Sequence, residues 1–239
     1  MAMSLMALSM GFMFFLPNKY SLLILLGFIS FQGFLKIISN YHPVVHVGAD
    51  LVVIGLFFKF IIQNALDSKV NRIKVPPLTY VFVIHFIWLT VVFFNPHSLG
   101  IVPSLAGSKV YITMFLLYFF GYLLTKDVKD IHLFFKFFIA LAFIHIGFTI
   151  YQGLIGPSSV TSLHPRYAIQ LKKYYTTAFR PFGLTNLPGG PSVYIYSVLP
   201  FVFYYISFSK SWWAKAMLVL SLPLFGLSLM FCQVRSAII

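Results

Sequence analysis

The chain has 239 residues, of which 60% are hydrophobic, 19% aromatic and only 9% charged, with a mean hydropathy of +0.92. Soluble domains carry about 25% charged residues, so a soluble globular domain is excluded and a helical membrane protein is expected. Lysine and arginine number 17 against 4 acids, a net charge of +13, and every acid is an aspartate: Asp50, Asp67, Asp127 and Asp130.

The apolar runs predict an all-α fold: a polytopic transmembrane helical bundle of about eight spans in one domain. They cover residues 3–16, 21–39, 44–63, 78–94, 110–125, 131–155 and 191–208, with the last starting near 216. The N-terminus has no basic region and no small-residue cleavage site, so no removable signal peptide is expected. Short loops set the orientation. Lys69, Arg72 and Lys74 lie in one, Lys126 and Lys129 two spans later, and Lys210 and Lys215 two spans after that. All three fall on one side by parity, which the positive-inside rule makes cytoplasmic. Scattered lysines at helix ends suit lipid head groups, so membrane lipids are expected partners and nucleic acid is not.

By the same parity the long loop 156–190 is extracytoplasmic. It carries Arg166, Lys172, Lys173 and Arg180 and no acid, against the positive-inside tendency. A long loop with such a bias is a candidate working part. Between Pro165 and Phe179, Tyr167, Leu171, Tyr174 or Tyr175, and Ala178 recur at helical spacing. That pattern predicts an amphipathic helix in the interface, with Lys172 and Lys173 toward head groups. Simple membrane anchoring is the blander account of it.

Residues 179–194 hold one Arg, three Gly and three Pro, then enter an apolar run. The prolines and glycines predict tight turns, with Pro191 as a first helical residue. The amides of that helix start, with Gly189 and Gly190 admitting a ligand, would form an anion site beside Arg180. An ordinary loop-to-helix entry is the alternative. Arg235 follows the last apolar run, and an ionisable group at membrane depth is a functional candidate by default. Arginine's planar fork also suits phosphate oxygens.

Other features are weaker. Asp50 has His46 one turn before it, as a proton-relay pair or a polar knot between helices. His85 and His145 read as satisfied buried histidines, and Cys232 as a small buried residue. No metal-ligand spacing, P-loop or nucleophile motif is present, and neither metal nor cofactor is expected.

The order of parts resembles the O-antigen ligase / O-antigen polymerase family of bacterial membrane proteins. Asn95-Pro96 ends a span before a short loop with Gly107. Arg180-Pro-Phe-Gly183, with Asn186 and Pro188, leads into a span ending Leu199-Pro200. Arg235-Ser236-Ala237 follows the next span. Leu187 separates Asn186 from Pro188, and Val234 stands where the family usually has Ser. The family continues well beyond the position of Ile239, so a truncated chain is expected. The resemblance implies a multi-pass protein of the bacterial inner membrane that transfers glycans by a metal-independent, inverting reaction. The donor would be a polyprenyl-diphosphate-linked oligosaccharide, and the acceptor another glycan or the lipid A core. Arg180 and Arg235 would be catalytic. Arg166, Lys172, Lys173, Gly183, Asn186, Gly189 and Gly190 would bind substrate. The rival is a transporter of a lipid-linked glycan, which should show internal repeats and ionisable groups near the midplane. No convincing repeat is visible. A non-catalytic membrane fragment is the remaining alternative.

Overall fold

The computed structural model describes residues 8, 11–13, 15–66, 76–94, 100, 112, 115–123, 125, 127–174 and 179–232. Among the described residues every regular element is a helix. In order they are α1 (Asn18–Ile38), α2 (Pro43–Leu66), α3 (Thr79–Phe93), α4 (Val128–Ile155), α5 (Ser158–Thr161), α6 (Pro165–Tyr174), α7 (Pro191–Phe208) and α8 (Trp212–Cys232). Residues 115–123 are helical as well.

By length and composition α1, α4, α7 and α8 can each cross a membrane. They correspond to the spans expected at 21–39, 131–155, 191–208 and from 216. The last starts earlier than expected, at Trp212. At 15 residues α3 falls short of the roughly 20 that a span needs. The span expected at 3–16 and the loop lysines Lys69, Lys74 and Lys126 lie wholly or largely outside the described residues. So do Arg72, Asn95, Pro96 and Gly107.

Local chemistry explains several boundaries. Asn40 and Tyr41 adopt φ of 54° and 58°, and the Tyr41 N–H donates to the Lys36 carbonyl at 2.7 Å. This left-handed cap satisfies carbonyls that the end of α1 would otherwise leave open. Asparagine tolerates that conformation better than most residues. Pro43 then opens α2, where its missing N–H costs nothing. Pro191 opens α7 in the same way, as its composition predicted.

The chain divides into two compact units. The first comprises Leu26–Ala49 and the described part of Ile131–Ile239. One of its cores joins Ala142 and Ile146 of α4, Ile195 and Val202 of α7, and Phe225 of α8. In lipid, apolar surface gains little by leaving its surroundings, so close fit must supply the attraction. Glycine allows that fit. A methyl group at Gly153 would come within 2.6 Å of the Phe231 ring. A second core joins Ile37 of α1, Val160 of α5, Tyr167 of α6 and Phe182 of the following loop.

The second unit comprises the described parts of Leu8–Leu25 and Asp50–Asp130. It is rich in ring contacts, such as Phe82 on Tyr118 at 5.0 Å and Phe86 on Phe115 at 5.3 Å. Lys19 pairs with Asp130 at 3.1 Å, and the Asn18 amide donates to Gln63 at 2.8 Å. Lys59 is buried on α2. Its ammonium donates to the carbonyls of Met13 and Leu16 and, at 2.9 Å, to the Ser21 hydroxyl. A lysine in an apolar helix thus serves as a remote cap for the turn before Pro17.

Candidate functional site

The loop between α6 and α7 is a folded object whose backbone is largely buried. Pro181, Phe182, Gly183, Leu184 and Thr185 are all buried. Buried backbone must find partners, and Gln152 near the end of α4 supplies the main ones. Its side-chain oxygen accepts from the N–H groups of Phe182 and Gly183, each at 2.8 Å, and its amide nitrogen donates to the Gly183 carbonyl at 2.9 Å. One side chain therefore pins the loop at three points. Gly183 sits at φ 54°, and a Cβ there would collide with Pro191.

The rest of the loop closes on itself. The Thr185 hydroxyl donates to the Phe182 carbonyl at 2.8 Å. The Tyr167 hydroxyl, from α6, donates to the Thr185 carbonyl at 3.1 Å. Burial, with Tyr41 nearby, pushes the Tyr167 hydroxyl well above its usual range, so it keeps its proton and remains a donor. Gly33 of α1 admits the loop closely, since a methyl group there would lie 2.6 Å from the Asn186 backbone nitrogen.

The expected anion site at the start of α7 takes a different form. The Gly189 N–H donates to the Pro181 carbonyl at 2.8 Å, and the Gly190 N–H to Leu187 at 3.0 Å. Ser192 and Val193 donate to the carbonyls of Gly189 and Gly190 at 3.1 Å and 3.3 Å. Each amide already has a carbonyl partner, so this end of α7 is a self-satisfied loop-to-helix entry. The glycines have backbone tasks. Gly189 takes φ 74°, and Gly190 leaves room for the Thr185 hydroxyl.

Three of the expected cations are chain neighbours of residues in or against one core. Arg166 adjoins Tyr167, Lys172 adjoins Leu171, and Arg180 adjoins Phe179; all three neighbours belong to the Val160–Tyr167–Phe182 cluster or pack against it. Lys172, Lys173 and Arg180 are exposed. Arg166 is partly buried, and its Nε donates to Asn40 at 3.1 Å, tying α6 to the end of α1. Gln170 reinforces this by donating to the Tyr41 hydroxyl at 3.1 Å. Asn186 is partly buried. Arg235 and the His46 side chain lie outside the described residues. The amphipathic helix expected from Pro165 is α6, with Tyr167 inward and Lys172 and Lys173 outward.

Two side chains were missed or misjudged from the sequence. Gln152 was passed over, although His145, Thr149 and Gln152 recur at helical spacing in an apolar span and so mark one polar face. His145 is fully buried, as expected, but is not satisfied. Its ring stacks on Tyr194 at 4.5 Å and on Phe31 at 5.7 Å, and neither nitrogen has a hydrogen-bond partner among the described residues. Also among the described residues, no group of three or more His, Cys, Asp or Glu is placed to hold a metal ion. No family model, curated protein or solved structure matches the chain.

Proposed function

We propose that the chain is a membrane-embedded glycosyltransferase acting on a polyprenyl-diphosphate-linked oligosaccharide, the class its resemblance implies. The observation that carries this reading is that Arg166 and Lys172 on α6 and Arg180 on the Gln152-pinned loop each neighbour in the chain a residue of, or packed against, one small core. Cations on a segment whose own sequence, 156–190, has no carboxylate suit a diphosphate, and preorganised charge is usually the largest catalytic contribution in such sites. In this reading the chain makes about eight passes through the bacterial inner membrane, and residues 156–190 face outward.

An acceptor hydroxyl, from another glycan or from the lipid A core, attacks the anomeric carbon. The new carbon–oxygen bond forms as the bond to the diphosphate oxygen breaks, with inversion, and the hydroxyl proton is released. Arg180 and Arg235 neutralise charge growing on the departing diphosphate. Arg166, Lys172 and Lys173 draw in the anionic donor. Gly183, Asn186, Gly189 and Gly190 shape the wall of the loop that presents Arg180. These side chains do with fixed cations what other transferases do with a metal ion.

The test is the surface glycan of cells carrying Arg180→Ala, read on a gel beside wild type and Arg180→Lys. Loss of one such charge costs about 2–4 kcal/mol in the transition state, or roughly 30- to 1000-fold in rate. The glycan ladder should collapse in Arg180→Ala and recover in part in Arg180→Lys. An undiminished ladder overturns the assignment.

A further inference from the structure

The packing of α4, α7 and α8 leaves an open, almost wholly apolar groove of about 610 Å³. Its walls include Lys136 and Phe143 of α4, Tyr205 of α7, and Ala214, Leu220 and Leu224 of α8. None of these belongs to the Gln152-pinned loop or to the cations around it.

The groove has a definite depth. It begins at Ala214, directly after Trp212 and Trp213, which are both exposed and meet edge-on at 4.9 Å. Exposed tryptophans at the end of a span mark the membrane–water interface. From there the α8 wall runs to Leu224, about 15 Å along a helix that rises 1.5 Å per residue. That is half of a hydrocarbon core about 30 Å thick. The groove therefore spans one leaflet and stops near the midplane.

Its charge is equally one-sided. Among the described wall residues Lys136 is the only ionisable one apart from Tyr205, and it is exposed. It lies one turn past His132, whose Nδ1 meets the Tyr205 hydroxyl at 2.9 Å. The lysine stem can lie along the apolar wall while the ammonium reaches back to head-group level. Lys215, in the first turn of α8, is outside the wall and donates to the Ser207 carbonyl at 3.3 Å. A slot one leaflet deep with a cation at its wet end fits a phospholipid with a negatively charged head group.

We infer that the groove between α4, α7 and α8 binds an anionic phospholipid of the leaflet bounded by Trp212 and Trp213, its acyl chain in the slot and its phosphate on Lys136. The occupant is a resident lipid and is independent of the transfer chemistry proposed above.

The test uses the full chain purified in a neutral detergent. It is titrated with phosphatidylglycerol or with phosphatidylcholine of the same acyl chains, and bound lipid is counted by native mass spectrometry. Wild type should retain one phosphatidylglycerol about fivefold better than phosphatidylcholine, the preference expected from one lysine at an anionic head group. Lys136→Gln should equalise the two lipids without losing them. Ala214→Phe, which narrows the mouth, should lose both. Both positions are exposed, so circular dichroism should show unchanged helix content. Equal retention of the two lipids by wild type overturns the inference, as does a preference that survives Lys136→Gln. A dimer that Ala214→Phe dissolves assigns the groove to a second copy of the chain and also overturns it.

Discussion

In one unit the buried ammonium of Lys59 meets three acceptors, from Met13, Leu16 and Ser21. In the other the equally buried imidazole of His145 meets two aromatic faces and no hydrogen-bond partner among the described residues. Gln152, one helical face along from His145, resembles Lys59 in that every polar atom it carries is engaged. Burial in a membrane bundle therefore does not fix what a polar side chain is for. Its bonding pattern does. A fully engaged group organises backbone that has no other partner. A group left unbonded carries a cost that packing alone must offset.

Three substitutions sharpen this contrast. The largest effect is expected for Lys59→Met. Methionine fills similar space but removes three charge-assisted hydrogen bonds and leaves the Leu16 carbonyl without its close donor, while the Ser21 hydroxyl still donates to the Met13 carbonyl at 2.8 Å. At about 1.5–3 kcal/mol per hydrogen bond to a charged group, less the gain from no longer burying the ammonium, the loss should reach roughly 3–5 kcal/mol. Thermal unfolding of the purified protein in micelles measures it, and a shift worth under about 1 kcal/mol would show that the carbonyls find other donors.

Gln152→Leu should follow, at roughly 2–3 kcal/mol, because it orphans the N–H groups of Phe182 and Gly183 and the Gly183 carbonyl. Its signature is local. Amide hydrogen exchange should rise at residues 182–183 well before it rises in the core around Ile146 and Val202. Exchange that rises uniformly would mean that Gln152 supports the whole unit and not the loop. Gln152→Glu should recover the acceptor half of the clamp only.

The smallest effect is expected for His145→Phe. Phenylalanine keeps the ring between Phe31 and Tyr194 and removes two unbonded nitrogens, so stability should change by less than about 1 kcal/mol or increase. A loss above about 2 kcal/mol would show that the nitrogens do have a partner in the membrane, and His145 would join Gln152 on the engaged side of the comparison.

The elements were largely legible in the sequence because their causes are local. Pro191 announced the start of α7, and the spacing of Tyr167 and Leu171 with Lys172 and Lys173 announced the faces of α6. Apolar length alone announced α1, α4, α7 and α8. The positions of Arg166, Lys172 and Arg180 beside one core were half legible. Their loop was evident, but the cluster of Ile37, Val160, Tyr167 and Phe182 draws on four separate segments, and no periodicity links these. At the helix start the sequence left an anion site and an ordinary loop-to-helix entry both open, because composition shows which amides exist and not which carbonyls they meet. Gly189 finds its partner at Pro181, eight residues back, through a fold-over that only the assembled loop defines. Gln152 was hidden for the opposite reason. A single amide near the end of an apolar run looks like interfacial decoration until Phe182 and Gly183 are laid against it.

The seal around Gln152 also has a chemical consequence. A side-chain amide ages to a carboxylate either by direct hydrolysis or through a cyclic imide that water then opens, and both routes consume water. Gln152 is fully buried, so water is kept away. Conversion to a carboxylate would remove the two N–H donors, set a negative oxygen against the Gly183 carbonyl and place a charge in a dry interior. The enclosure that holds the loop in place therefore also sets its shelf life, and the clamp should outlast any exposed asparagine or glutamine in the chain.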